Sequence, residues 1–149
     1  MSLDKTDRRI INELQLSGRE SASYIAEKIN VSVPTVTERI RKLQEANVII
    51  GFQVILNPHS VGLDISAIIT VISGSSKNYK DVTSEAKKTR EVIQCFSTTG
   101  TGSHKLIVAT KNSTSLEELL RKIQGWPGVV RTETQIILSS YKRGAVIPI

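Results

Sequence analysis

The side chains with the most chemical potential crowd into one short stretch, Ser32-Val33-Pro34-Thr35-Val36-Thr37-Glu38-Arg39-Ile40-Arg41-Lys42. Wound as a helix at about 100° per residue, Val33, Val36, Ile40 and Leu43 form one apolar arc. Pro34, Thr35, Glu38, Arg41 and Lys42 point the opposite way, with Thr37 and Arg39 on the flanks. That outer face is the inventory needed to read base edges. A guanidinium forks to guanine, a carboxylate accepts from the cytosine amine, and a threonine methyl meets the thymine methyl. Thr37, Arg39 and the Ser32 cap are expected to reach phosphates, which position a protein without specifying sequence. Glu38 and Glu45 cut against a purely electrostatic binder and fit selective contact. The competing reading is an ordinary solvated amphipathic helix.

Other chemistries find little support. Of the 149 residues only Cys95 is a cysteine, so an internal disulfide framework and a cysteine-clustered zinc site are excluded. His59 and His104 lie far apart, and no paired acid and base stands out, so catalytic residues, metal and cofactor are all expected to be none. No apolar run approaches the ~20 residues of a bilayer span, and the first residues lack the apolar core of a secretory signal. A cytoplasmic protein with no membrane partner is expected. The net charge of +6 and pI near 9.6 favour polyanionic partners. Residues 1–50 carry eight basic and seven acidic side chains, and residues 51–149 twelve and seven. Bulk charge therefore does not mark the reading helix.

The elements that must position this helix can be read from local signals. Asp4 is a good N-cap for a first helix with Ile10, Ile11 and Leu14 on one face, ending near Ser17-Gly18, where glycine permits a left-handed residue. A second helix starts at Ser21, whose cap joins the expected DNA-binding set, and turns Ile25, Ala26 and Ile29 inward. Asn30 and Val31 make a tight turn, with asparagine in the left-handed position. Ser32 then caps the third helix and Pro34 sits in its first turn. Together these predict a helix-turn-helix. Asn47 supplies a second left-handed stop, and Val48–Leu56 reads as a turn and an extended strand that pairs with something, a second chain included.

The rest reads as βαββαβ, a ferredoxin-like order. Strands are expected at Ile65–Ile72, Glu91–Phe96, Leu106–Ala109 and Val129–Leu138. Helices are expected around Tyr79, Val82 and Ala86 and from a Ser115–Glu118 capping box to Gly125. Apolar residues on both faces of the Ile65–Ile72 strand predict burial against a second subunit. Cys95 and Trp126 are expected in the core or an interface, and His104 at the surface or an interface. The predicted fold class is α+β, with a winged-helix-like domain at 1–50, a linker strand and loop at 51–62 and a ferredoxin-like domain at 63–149.

In order and spacing, several elements resemble the Lrp/AsnC, or feast/famine, family of transcription regulators, over essentially the whole chain. They are Leu3-Asp4, Asp7, Ile10-Ile11, Gly18-Arg19, Ile25-Ala26, Ser32, Val36, Arg39-Ile40, Leu43 and Val48-Ile49-Ile50-Gly51-Phe52. Thr99-Gly100, Pro127-Gly128-Val129 and Thr132 with Thr134 complete the set. The resemblance implies a sequence-specific regulator of double-stranded DNA that self-associates as a dimer or a ring-shaped octamer of dimers. It also implies a small-molecule effector, such as an amino acid, at an oligomer contact. The effector set is then Thr99, Gly100, Thr101, Gly102, Ser103, His104, Lys105, Thr132 and Thr134. Two departures stand out: asparagine replaces the family's usual glycine at Asn30 and Asn47, and Ser103 or Lys105 stands where a loop carboxylate is usual.

The resemblance leaves alternatives. An architectural chromatin protein would show little sequence preference. A siroheme-decarboxylase-like enzyme shares the architecture and would need a tetrapyrrole pocket. Lys87, Lys88, Lys142 and Arg143 are candidates for holding wrapped or neighbouring DNA, with nucleoid association as the consequence.

Overall fold

A computed structural model describes residues 2–142, 144 and 146–149, which form two compact units. One comprises residues 1–55 with 142–149, the other residues 56–141.

The first unit is built from α1 (Lys5–Leu16), α2 (Ala22–Ile29) and α3 (Val33–Glu45). Asp4 caps α1, accepting from the Asp7 N–H at 2.8 Å, while the Asp7 carboxylate accepts from the Asp4 N–H at 3.1 Å. Asn30 and Asn47 both adopt left-handed backbone, at φ 57° and 54°. Each closes a Schellman motif. Val31 N donates to Ala26 O and Asn30 N to Glu27 O, and Val48 N donates to Leu43 O and Asn47 N to Gln44 O. Ile10, Ile25, Ala26, Ile29 and Val36 form the core of this unit.

Two local expectations are corrected here. Val33 is 41% exposed, because as the first residue of α3 it precedes the turn that packs inward. Gly18 is not left-handed. α1 ends at Ser17 in extended backbone, so no reversal is required there. Residues 51–57 form no ladder with the other described residues, and Val54, Ile55 and Leu56 are exposed, which leaves this stretch free for the pairing with a second chain that its sequence suggests.

The second unit follows the predicted βαββαβ order. β1 (Ile65–Ser73), α4 (Tyr79–Lys88), β2 (Val92–Ser97), β3 (His104–Thr110), α5 (Ser113–Gln124) and β4 (Val129–Ile136) give an antiparallel sheet ordered β2-β3-β1-β4. Register assigns the two faces. Ala67, Ile69 and Val71 on β1 pair with Val108, Leu106 and His104 on β3, and the helices contribute Val82, Ala86, Leu116, Leu119, Ile123 and Trp126 to the same core. Burial of each valine, leucine or isoleucine in this core contributes about 1.5–3 kcal/mol. The other face carries Ile68 opposite Ile107, Phe96 opposite Lys105, and Ile72 opposite Arg131. Neither helix contributes a core residue on that side.

The cap of α5 also differs from expectation. Asn112, not Ser115, is the N-cap, and Ser115 is the N3 residue that completes the capping box. Both pairs have the right spacing, but Asn112 has the extended backbone of a cap at φ −159°.

Candidate nucleic-acid interface

Two ion-pair systems fix the helix-turn-helix. Lys28 on α2 donates to Glu13 on α1 at 2.6 Å and lies over the Tyr24 ring, and this partner raises its pKa. Arg39 on α3 reaches back to α1, where its Nη1 donates to Asp4 at 2.6 Å and to Asp7 at 2.8 Å. Asp7 is the buried member, its side chain 4% exposed. α3 is thus tied to the same two carboxylates that cap α1. Hydrogen bonding from the Asp7 N–H, then from Arg39, lowers the Asp4 pKa. An open hollow of about 440 Å³ adjoins this triad, lined by Asp4, Asp7 and Glu38 against Arg39 and Lys42. With three carboxylates to two cations, it is no phosphate cradle.

On the outer face of α3, Arg41 is paired twice along its own helix. Its Nη2 and Nε donate to Glu38 at 2.7 and 2.9 Å, and Nη1 donates to Glu45. Lys42 stands 3.6 Å from Glu38. The Arg41 guanidinium holds the Glu38 carboxyl down at about 2, and Glu38 raises Arg41 in turn. Arg41, Glu38 and Lys42 are all more than 45% exposed, so solvent screens these pairs and a partner can exchange into them.

The remaining predicted contacts cluster at helix starts. Ser21 Oγ accepts from Tyr24 N at 3.1 Å, and Ser32 Oγ lies 2.7 Å from Thr35 Oγ1. The Thr37 hydroxyl donates back to Val33 O at 3.1 Å. Pro34 is exposed beside them. The structure thus gathers Ser32, Pro34, Thr35, Thr37, Glu38, Arg41 and Lys42 on α3 and its cap. Arg39 is turned towards α1, and Ser21 caps the neighbouring helix.

The predicted effector residues do not form one group. Gly100 and Gly102 are left-handed, at φ 88° and 81°, in the loop between β2 and β3. A Cβ on Gly102 would lie 2.5 Å from Thr70 Cγ2 and 2.8 Å from Val71 O, so only glycine fits. Thr99 and Thr101 lie in the exposed or bending part of this loop. Ser103 is buried, donating its N–H to Val71 O at 2.9 Å and sharing its hydroxyl with Ser73 and His104 Nδ1 at 2.9 and 2.8 Å. His104 is 1% exposed and stacks edge-on with Tyr79 at 5.1 Å, so it is enclosed within the chain itself rather than at the surface or an interface as expected. Its register with Val71 places it on the core face, and burial lowers its pKa. Thr134 and Thr132 pair with Ile69 and Val71 on that same face. Lys105 faces the other way, donating to Thr70 Oγ1 at 2.6 Å. Cys95 is half-buried against the core, and burial pushes its thiol up.

Three helices, the second and third joined by the tight Asn30 turn, followed by a βαββαβ unit, define a helix-turn-helix protein with a separate sheet domain. Residues 3–50 match the winged helix-turn-helix DNA-binding family and residues 66–147 the Lrp/AsnC ligand binding domain. The chain is 36% identical to the HTH-type transcriptional regulator FL11 of Pyrococcus abyssi, over 100% of this chain and 98% of the relative. It is 29% identical to the regulatory protein AsnC of Escherichia coli, over 93% and 91%. Among solved structures, a feast or famine regulatory protein from M. tuberculosis complexed with L-methionine superposes with a TM-score of 0.91 at 32% identity, covering 99% of this chain and 100% of that one. The chain belongs to the Lrp/AsnC family of helix-turn-helix transcription regulators.

Proposed function

We propose that this protein is a sequence-specific regulator that inserts α3 into the major groove, with Arg41 and Glu38 as its base-reading pair. The Arg41 clamp carries this reading. A cation held by two carboxylates of its own helix gains little from a bare phosphate, which must compete with both. A guanine edge beside a cytosine amine offers each member of the pair a partner at once. Lys42 and Ser32, with Ser21 from α2, supply backbone contacts. Two copies would set their reading helices about 34 Å apart on a two-fold-symmetric site. The second unit would assemble the dimer or a larger ring through the sheet face bearing Ile68, Ile72, Phe96 and Ile107.

The effector reading rests on the β2–β3 loop. Thr98 Oγ1 is buried there without a hydrogen-bond partner among the described residues, beside the two left-handed glycines. The M. tuberculosis relative carries L-methionine, and an amino acid is the effector class this suggests. Residues 99–105 hold no carboxylate, however, so an ammonium group would meet hydroxyls and backbone here. Lys87, Lys88 and Lys142 remain candidates for neighbouring DNA, although Lys88 is paired with Glu85 at 3.0 Å. Arg143 lies outside the described residues. A catalytic role is disfavoured because His104 is enclosed and hydrogen-bonded to Ser103. The place of action is then the cytoplasm, on the nucleoid.

Selection from a random duplex pool, comparing wild type with Arg41→Ala, tests this function. Enrichment of a symmetric site that loses base preference in the variant is expected. Equal binding to all duplexes would favour an architectural role, and absence of DNA binding would refute both.

A further inference from the structure

Residues 146–149 belong to the first unit, although the chain reaches them only after completing the second. Their attachment is specific. On α1, the Gln15 side-chain amide faces the Ile147 backbone and bonds to it twice. Gln15 Nε2 donates to Ile147 O at 3.0 Å, and Ile147 N donates to Gln15 Oε1 at 2.6 Å. A primary amide presents the same donor and acceptor as a strand edge, so one side chain holds both polar groups of one residue. Pro148 follows and has no N–H, which stops the pairing from lengthening. Beside the clip runs an apolar groove of about 420 Å³, lined by Ile147 and Ile149, by Ile11 and Leu14 of α1, and by Ile49 and Phe52 after α3. Ile147 remains 62% exposed and Ile149 41%, so the segment is clipped on rather than built into the core.

We infer that Val146–Ile149 is a strap, fastened by Gln15, through which the second unit is tied to the DNA-binding unit a second time. The linker crossing at 55–56 is the first tie and the crossing at 141–142 the other. A single linker lets a helix-turn-helix unit search freely for its half-site. Two ties restrict that search, so the strap sets how strictly the spacing of half-sites is enforced. β4, which carries Thr132 and Thr134, is the last regular element before it, ending upstream at Ile136. The readout on DNA rests on the regulator function proposed above, whereas the clip itself does not.

The test uses full-length protein, Gln15→Leu, and a chain shortened by residues 146–149. Amide exchange reports the clip. Ile147 N–H is expected to be protected about tenfold or more in wild type and unprotected in Gln15→Leu. On duplexes whose selected half-sites are moved apart by about half a helical turn, wild type is expected to lose at least tenfold in affinity. Gln15→Leu and the shortened chain are expected to lose at most threefold, while binding the parent site within threefold of wild type. An unprotected Ile147 amide in wild type overturns the strap, as does identical spacing tolerance in all three proteins. If no protein binds DNA, the regulator function fails and exchange alone decides the clip. Should the shortened chain fail to fold, Gln15→Leu carries the test.

Discussion

Replacing Arg39 with alanine separates two roles that look alike in binding assays. Arg39 has the sequence signature of a phosphate contact on the flank of a reading helix, yet in the structure it pins α3 to Asp4 and Asp7. The cost follows from Asp7, whose side chain is 4% exposed and whose remaining hydrogen bond comes from the Asp4 N–H. A hydrogen bond to a buried charge contributes about 1.5–3 kcal/mol. Arg39 itself is 31% exposed, and water partly replaces it in the variant, which trims the loss to about 2 kcal/mol. For a unit of this size that corresponds to a fall of about 10 °C in melting temperature, read by helix circular dichroism. Asp7→Asn should destabilise similarly, and the double variant should show a coupling of about 1 kcal/mol or more. Salt supplies the discriminating measurement. A lost phosphate contact lowers the slope of log affinity against log salt by about 0.9, whereas a positioning residue leaves it unchanged. An unchanged melting temperature together with a reduced slope would refute the positioning role.

Further outcomes follow from the same geometry. Glu38→Gln releases Arg41 and is expected to tighten binding to random DNA by about three- to tenfold while blunting site preference, measured by anisotropy at one salt concentration. Because the folded protein holds Glu38 near 2 against an ordinary 4.5, what the Glu38–Arg41 pair adds to stability should be complete above about pH 4.5 and lost as pH falls towards 2 in acid melts. His104 is held below its ordinary 6.5 by burial, so unfolding takes up a proton. The second unit should therefore lose stability as pH drops below about 6.5, and His104→Asn should flatten that slope in thermal melts between pH 7 and 5. Asn30→Ala should cost about 1 kcal/mol and Asn30→Gly should be neutral or slightly stabilising in urea melts, since only the alanine meets the left-handed penalty.

Much of the fold was legible because its signals are local. Asp4, Ser21 and Ser32 cap helices that begin one residue later, and the two asparagines stop helices where a left-handed residue is needed. What escaped depends on partners distant in sequence. Arg39 meets Asp4 and Asp7 across 35 and 32 residues, and Gln15 meets Ile147 across 132. A trace of the first was present: Asp7 shares the helical face of Ile10 and Leu14, and a carboxylate in an apolar stripe signals a buried pair. His104 was similarly readable, two and four residues before Leu106 and Val108 on the inward-facing alternation of β3. Gln15 offered no such sign, since an exposed-type residue near the end of a helix is unremarkable. The position of Lys105 was a matter of strand parity, which a loop-centred count cannot supply.

The lone tryptophan has a practical consequence. Trp126 is 5% exposed in the core of the second unit, and residues 1–55 and 142–149 contain no tryptophan. Indole emission therefore observes one half of the molecule and is blind to the other. The first unit, in contrast, is helical wherever it is regular and dominates no optical signal except the far-ultraviolet one. Effector titrations followed by indole emission and operator titrations followed by labelled DNA would thus watch different halves of the same chain. A change in indole emission on adding operator DNA would report that binding at the first unit reaches the second.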